Sequence, residues 1–418
     1  MLTRLTRVAT WRAIHLGAVL LLVISMPYKS NINSVFLGLV VVIFLFKTPL
    51  RQHFSFCFRN KRILAFVFFF LLHVLSVLNS SNLAAATKDV VLKLPFLLLP
   101  VSMAAFRWTP SRQKLILNAF IFNILILSVV SFLKTYYKIF NGGLLDFKDV
   151  LGYDWAYFAF IMPEAVNVHA PYFSLYIGVA LLFICRQLLN NFRSYSWHQK
   201  FGWLALLVYF LLFLAVLSSR TAIFATLFTL GIWVSIYLIR RGYTRYLIGI
   251  GATLLLILFA FYSNFPYLKK KIENRSGVST RSYIWQAGNS IVKENILFGV
   301  GTGDIKDNLR AAYQKIGFEE GLTHTYNAHN QYLQTAIGLG AIGFIALLLI
   351  FFTLIAEALS TQNILLLAFV ILFGLCCITE SLLSRQHGII LFCFFSSILP
   401  IFENVPKITP ARFSSSLK

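Results

Sequence analysis

Acidic residues are scarce in this chain. Asp and Glu number 14 against 37 Lys and Arg, and charged residues make up only 12% of the 418 positions. A soluble domain carries about 25% charged residues, so a water-soluble globular fold is excluded. The five cysteines (Cys57, Cys185, Cys376, Cys377, Cys393) sit in or beside apolar runs without CxxC spacing. Neither a disulfide framework nor a cysteine metal site follows. No carboxylate–histidine set has ligand spacing, and His324 and His329 are spaced poorly for one helical face, so no metal and no other cofactor is expected. The first apolar run lacks a small-residue cleavage site after it and reads as a retained helix. No repeat of fixed period is evident.

Hydrocarbon fills the chain instead: 58% of residues are hydrophobic, 42 are Phe, and the mean hydropathy is +0.76. Runs able to cross a core of about 30 Å fall at residues 12–28, 33–47, 63–78, 90–106, 115–133, 172–190, 201–218, 221–239, 246–263, 332–356, 363–383 and 388–402. The pattern predicts an all-α membrane protein, a polytopic bundle of about 12 transmembrane helices. A large, partly helical periplasmic loop separates helices 9 and 10. The net charge of +23 would suit nucleic acid. Its positive residues sit in short loops between helices, where topology alone demands them, so membrane lipids are the expected partner and nucleic acid is not.

Basic clusters fall in alternate connections: Arg4, Arg7 and Arg12; Lys47, Arg51, Arg59, Lys61 and Arg62; Arg107, Arg112 and Lys114; Arg193 and Lys200; Arg240, Arg241 and Arg245. The positive-inside rule then puts both termini in the cytoplasm; in a bacterium the opposite face is periplasmic. Residues 1–402 read as a single transmembrane domain and 403–418 as a cytoplasmic tail. Residues 134–171 and 264–331 become periplasmic loops. The first of these holds Asp146, Asp149, Asp154, Trp155 and Glu164, a composition that serves either sugar binding or an interfacial aromatic belt. Its Gly142–Gly143 pair marks a turn. His169 stands at the mouth of the next run as a local cap.

The longest polar stretch, residues 263–334, holds most of the groups with chemical potential and leads into an apolar helix without a break. Within it, Ser279 or Thr280 reads as an N-cap, which puts Arg281 in the first turn of an amphipathic helix. A guanidinium beside free backbone N–H groups suits a phosphate; the alternative is a solvated surface Arg, and Arg275 is a rival for the role. The segment "FGVGTGD" is neither GxGxxG nor a Walker motif and reads as a tight turn that lets backbone approach the membrane or substrate. In "THTYNAHNQYLQ", Asn327 could cap the following helix, with His329 and Asn330 in its first turn. An imidazole there can take a proton from an alcohol, or merely bond to Tyr326 or to backbone. Outside this stretch, Arg220 lies in "LSSRTAIFA", a break of a few residues between two apolar runs. It is either a snorkelling side chain at a helix end or a functional cation; an outer position, against the positive-inside bias, favours function. Glu380, Arg385 and His387 in "TESLLSRQHGI" form a polar group near the outer end of a run.

The ordered set "SSRTA", "STRSYIWQ", "FGVGTGD" and "AHNQYLQ", with about 12 spans and one long late loop, resembles the O-antigen ligase and polymerase superfamily. The likeness covers residues 200–390 by motif and the first half only by hydrophobic pattern. It implies a metal-independent membrane glycosyltransferase acting at the periplasmic face. The implied donor is an undecaprenyl-pyrophosphate-linked glycan, and the acceptor is lipid A–core or a growing glycan. By motif, the functional groups of the family fall on His329, Arg220 and Arg281. Arg275, His324, Asn330, Arg385 and His169 are the further substrate-binding candidates. The motifs do not separate ligase from repeat-unit polymerase. A flippase or transporter is disfavoured by the few deep charges.

Overall fold

The computed structural model describes residues 2–28, 30–48, 50–106, 108–141, 161–244, 249, 251, 256 and 276–402. Among these residues there are helices and turns but no strand. Helices α1 (Leu2–Ser25) and α2 (Ser30–Lys47) form a hairpin, followed by the short α3 (Leu50–Arg59). A second hairpin pairs α4 (Lys61–Leu75) with α5 (Leu83–Ala104), and α6 (Pro110–Asn141) follows. Then come α7 (Ala170–Asn191), α8 (Trp197–Val216) and α9 (Arg220–Arg240). The polar stretch supplies α10 (Ser276–Glu294), α11 (Ile305–Lys315) and α12 (Glu319–His324), before α13 (Gln331–Ser360), α14 (Ile364–Cys376) and α15 (Gln386–Ile398).

Among the described residues, six helices are long and apolar enough to cross a membrane: Lys61–Asn79, Pro110–Ile139, Ala170–Asn191, Trp197–Val216, Arg220–Arg240 and Gln331–Ser360. Shorter apolar helices occupy Ala13–Ser25, Asn31–Phe46, Ile364–Cys376 and Gln386–Ile401. The expected run at 90–106 is the second half of α5, whose first half carries Lys88, Asp89 and Lys93. The expected run at 246–263 lies largely outside the described residues. A central post is α7, with 83% of its apolar window buried against 22% for α8. Phe rings of α14 and α15 close the core beside it: Phe373 stacks on Phe392 at 4.5 Å, and Phe183 of α7 meets Phe395 at 4.9 Å.

Two buried cations of the bundle, Arg62 and Lys93, are paired, because an unpaired ion in apolar surroundings costs several kcal/mol. Arg62 Nε lies 3.2 Å from Glu357 Oε2, and its Nη1 donates to the Ser396 carbonyl at 2.9 Å. Lys93 Nζ donates to Asp89 Oδ1 at 3.0 Å and to the Leu383 carbonyl at 2.8 Å.

The loop does not enter an unbroken helix. Gly340 inside α13 has φ 64° and ψ −160°, which only glycine adopts readily. The segment after α10 docks on this break: Val300 N donates to Ile337 O (2.9 Å) and Gly301 N to Gly338 O (3.1 Å). On the far side Ala341 N donates to Ile296 O at 2.7 Å. The "FGVGTGD" turn, expected to bring backbone up to the membrane or substrate, brings it instead against the backbone of α13. A Cβ on Gly299 would meet the backbone of Gly338 and Gly340 at 2.6 Å. The same turn is fastened to the α4–α5 hairpin, where Asp304 accepts from Ser81 N at 2.7 Å and Asn82 N at 2.8 Å.

Other local expectations shift. Helix α10 begins at Ser276, so Arg281 falls in its second turn rather than its first. The cap of α13 is Asn330, whose Oδ1 accepts from Leu333 N, not Asn327. His169 occupies the N-cap position of α7, but its side chain makes no capping bond. Residues 134–141 continue α6, so the first loop starts later than the hydropathy suggests. Gly142 and Gly143 and the acidic cluster from Asp146 to Trp155 lie outside the described residues.

Gly340→Ala would press a Cβ to 2.3 Å from the Leu297 carbonyl. It should destabilise the purified protein by at least about 1–3 kcal/mol, read as a fall in thermal midpoint in detergent. An unchanged midpoint would show that the break is dispensable.

Candidate functional site

Helix ends converge on a cavity of about 180 Å³. Its wall holds the first residues of α7 (Ala170, Pro171) and of α9 (Arg220, Thr221, Ala222), with Arg281 of α10. Cys376 at the end of α14, then Thr379, Glu380 and Leu382, close it from the far side. Neither Ser219 nor His169 places a side-chain cap on its helix. Two uncapped N-termini therefore border the cavity, and a helix N-terminus carries about half a positive charge. Two guanidiniums add to that field. Glu380 is the one carboxylate in the wall, so the lining charges sum to a positive excess.

Arg220 is delivered by a sharp turn. Ser218, fully buried, has φ 51°, and its hydroxyl donates to the Ala215 carbonyl at 3.2 Å. The hydroxyl of Thr379 donates to that of Thr221 at 2.8 Å, tying the α9 start to the Glu380 segment. Arg281 Nη2 reaches within 3.8 Å of Glu380 Oε1. Burial lowers the Arg281 pKa from its ordinary value; Glu380 pulls it back up, and nearby Arg220 lowers it further.

His329 meets the same carboxylate oxygen, with Nδ1 at 3.4 Å from Glu380 Oε1. A proton on Nδ1 facing the carboxylate leaves the Nε2 lone pair free to accept one. The turn presenting this ring is strained, since His329 has φ 42°, a left-handed conformation costing about 1 kcal/mol or more. Local bonds hold it there: His329 N donates to Asn327 Oδ1 at 3.0 Å, and Ala328 N to Gln334 Oε1 at 2.9 Å. Asn327 thus serves this turn, not the helix.

The structure brings Arg220, Arg281 and His329 around Glu380. Arg281 and His329 share a contact in Glu380, which the sequence places only among the flanking polar groups; its signal is a carboxylate at the end of an apolar run. Of the other candidates, Asn330 is spent capping α13, and His324 stacks on Tyr326 at 5.4 Å. His169 packs edge-on to Tyr172 at 6.1 Å. Burial lowers the His169 pKa, and Arg385 and His329 lower it further against a raising effect of Glu380. Arg385 is exposed beside this group. Arg275 lies outside the described residues. Among the described residues, no group of three His, Cys, Asp or Glu side chains is arranged to hold a metal ion.

Residues 205–348 match the family model described as O-antigen ligase. The match covers about a third of the chain and supports a place in the O-antigen ligase superfamily. Arg220, Arg281 and His329 all lie inside the matched residues, while Glu380 lies beyond them. Members of the family are membrane glycosyltransferase-like enzymes, ligases or polymerases, and the six apolar helices agree with a multi-pass membrane protein. No curated protein matches the chain.

Glu380 opposes an incoming anion. Glu380→Gln should tighten binding of inorganic pyrophosphate to the purified protein about threefold to tenfold at low ionic strength, with the gain shrinking as salt rises. Calorimetric titration at two salt concentrations reads this. Weaker binding in the variant would mean that the carboxylate organises the cations more than it repels the ligand.

Proposed function

We propose that this chain is an O-antigen ligase-type glycosyltransferase. It moves a glycan from undecaprenyl pyrophosphate to an acceptor hydroxyl of lipid A–core at the periplasmic face of the inner membrane. The observation that carries the reading is one anion-attracting cavity lined by Arg220 and Arg281, with a carboxylate-contacted His329 beside it. All three residues lie in the stretch matched to O-antigen ligase.

The chemistry follows from charge and proton balance. The bond between the anomeric carbon and the pyrophosphate oxygen breaks, and its electron pair leaves with the lipid pyrophosphate. Arg220, Arg281 and the uncapped helix ends neutralise the charge that develops, each charge-assisted contact contributing about 1.5–3 kcal/mol. The acceptor oxygen bonds to the anomeric carbon and gives its proton to His329 Nε2. Glu380 holds the imidazole in the accepting tautomer and stabilises the imidazolium that forms. The guanidiniums supply the positive charge that a divalent cation would supply elsewhere. A repeat-unit polymerase would use the same steps with a growing glycan as acceptor. Incubation with lipid-linked oligosaccharide and lipid A–core separates the two: a ligase puts glycan on lipid A–core, whereas a polymerase lengthens the chain on its carrier.

Arg220→Lys keeps the charge but loses the bidentate fork. Transfer should fall about 10-fold to 100-fold, and wild-type turnover would remove Arg220 from the role. His329→Ala should lower turnover about 10²–10⁴-fold while the protein keeps its gel-filtration profile and level in the membrane. Normal transfer by that variant would move the base elsewhere.

A further inference from the structure

A row of aromatic rings leads from the protein surface to His329. Phe318, buried, is its anchor. Tyr283 lies flat on Phe318 (centroids 5.3 Å apart, planes 16° apart), and Tyr326 lies near-parallel to it at 6.5 Å and 27°. His324 stacks on Tyr326 at 5.4 Å and 26°, and His329 meets Tyr326 edge-on at 5.6 Å. A packing cluster would cover these rings. Here Tyr283 is 46% exposed, His324 is exposed and Tyr326 half-buried.

A carboxylate frames the row. Glu320 is exposed; its Oε1 accepts from the Tyr326 hydroxyl at 3.0 Å and its Oε2 from the Thr280 hydroxyl at 3.2 Å. Each oxygen keeps a second lone pair. The combination has a definite chemical complement. The C–H face of a pyranose carries partial positive charge and packs on the negative face of a ring, while its hydroxyls donate to a carboxylate at the edge. Lipid tails would not match Glu320, and a phosphate would be repelled by it.

We propose that Tyr283, Tyr326 and His324, with Glu320, form a glycan subsite that holds a pyranose ring beside His329. The subsite deepens the glycosyltransferase reading and rests on it, and the ring it holds belongs to the transferred or the accepting chain. Near-parallel exposed faces tolerate several sugars, so ring geometry rather than one sugar identity sets the class of ligand.

The test uses the full-length protein in detergent and, as probe, the lipid-free and phosphate-free oligosaccharide released by acid from the host strain's own lipid-linked glycan. Binding is read by native mass spectrometry, and transfer by product analysis with donor and acceptor varied separately. Tyr283→Ala and Tyr326→Ala should each weaken oligosaccharide binding at least fivefold and raise a KM. A rise in donor KM assigns the ring to the transferred chain, and a rise in acceptor KM to the accepting one. Tyr283→Phe keeps the ring and should bind as wild type does, which separates stacking from a folding defect. His329→Ala should bind the oligosaccharide normally while losing transfer. Wild-type binding within twofold in Tyr283→Ala, or no binding by wild-type protein that transfers glycan, overturns the subsite and leaves the enzyme reading standing. Binding that depends on Tyr283 in a protein that never transfers glycan would instead defeat the enzyme reading.

Discussion

In hydrocarbon every backbone N–H and C=O must find a protein partner, since an unsatisfied group there costs several kcal/mol. A break in a long apolar helix is therefore tolerated only where other backbone replaces the lost bonds. The break at Gly340 is such a place. Residues 296–301 lie along 337–342 and exchange hydrogen bonds with them on both sides of the bend. The polar loop is thereby fused to α13, and the turn that presents His329 sits at the start of that same helix. The break adds these backbone ties to the apolar packing of Ile284, Ala287 and Ile291 of α10 with Leu333 and Ile337 of α13.

A second constraint is electrostatic. Arg220 and Arg281 line one cavity with the ends of α7 and α9, and like charges so placed repel. Glu380 offsets part of this repulsion but stands to one side, where it also reaches His329. The cavity keeps a surplus of positive charge at its mouth. A diphosphate carries the opposite charge in a compact group and would complete what one carboxylate leaves unbalanced. A chain with few acids achieves this by placing a single Glu between a guanidinium and an imidazole, on the wall that Arg220 also lines.

Most of the helical pattern was legible because hydropathy over about 20 residues reports directly on burial in lipid or bundle. What was illegible came from local competition. Asn327 and Asn330 both offer a cap oxygen in front of α13; nothing in their spacing says that one serves a left-handed His329 and the other the helix. Ser279 and Thr280 are good caps, yet α10 starts earlier, and Thr280 turns its hydroxyl to Glu320 instead. Gly340 stands among Gly338 and Gly343, and glycine is common in apolar helices, so the one that bends is unmarked. Glu380 stands near Arg385 in the sequence, whereas its contacts are Arg281 and His329, both remote in sequence.

The ion pairs at the site are too weak to set its geometry. Contacts of 3.4 and 3.8 Å between partly exposed groups contribute at most about 1 kcal/mol each. The framework bonds behind them are shorter and more buried. Gln331 N donates to the Cys377 carbonyl at 2.8 Å, and Leu383 N donates to Gln331 Oε1 at 2.7 Å. Lys93 holds the Leu383 carbonyl from α5, and Thr379 holds Thr221 of α9. At about 0.5–1.5 kcal/mol each, and more where a charged donor takes part, these four outweigh the two ion pairs. They join the segment carrying Glu380 to the starts of α13 and α9, the two helices that follow His329 and begin with Arg220. The distances among the charged groups are therefore a property of the bundle. The ion pairs are free to rearrange when an anion enters, while the side chains that would bind it start from fixed positions.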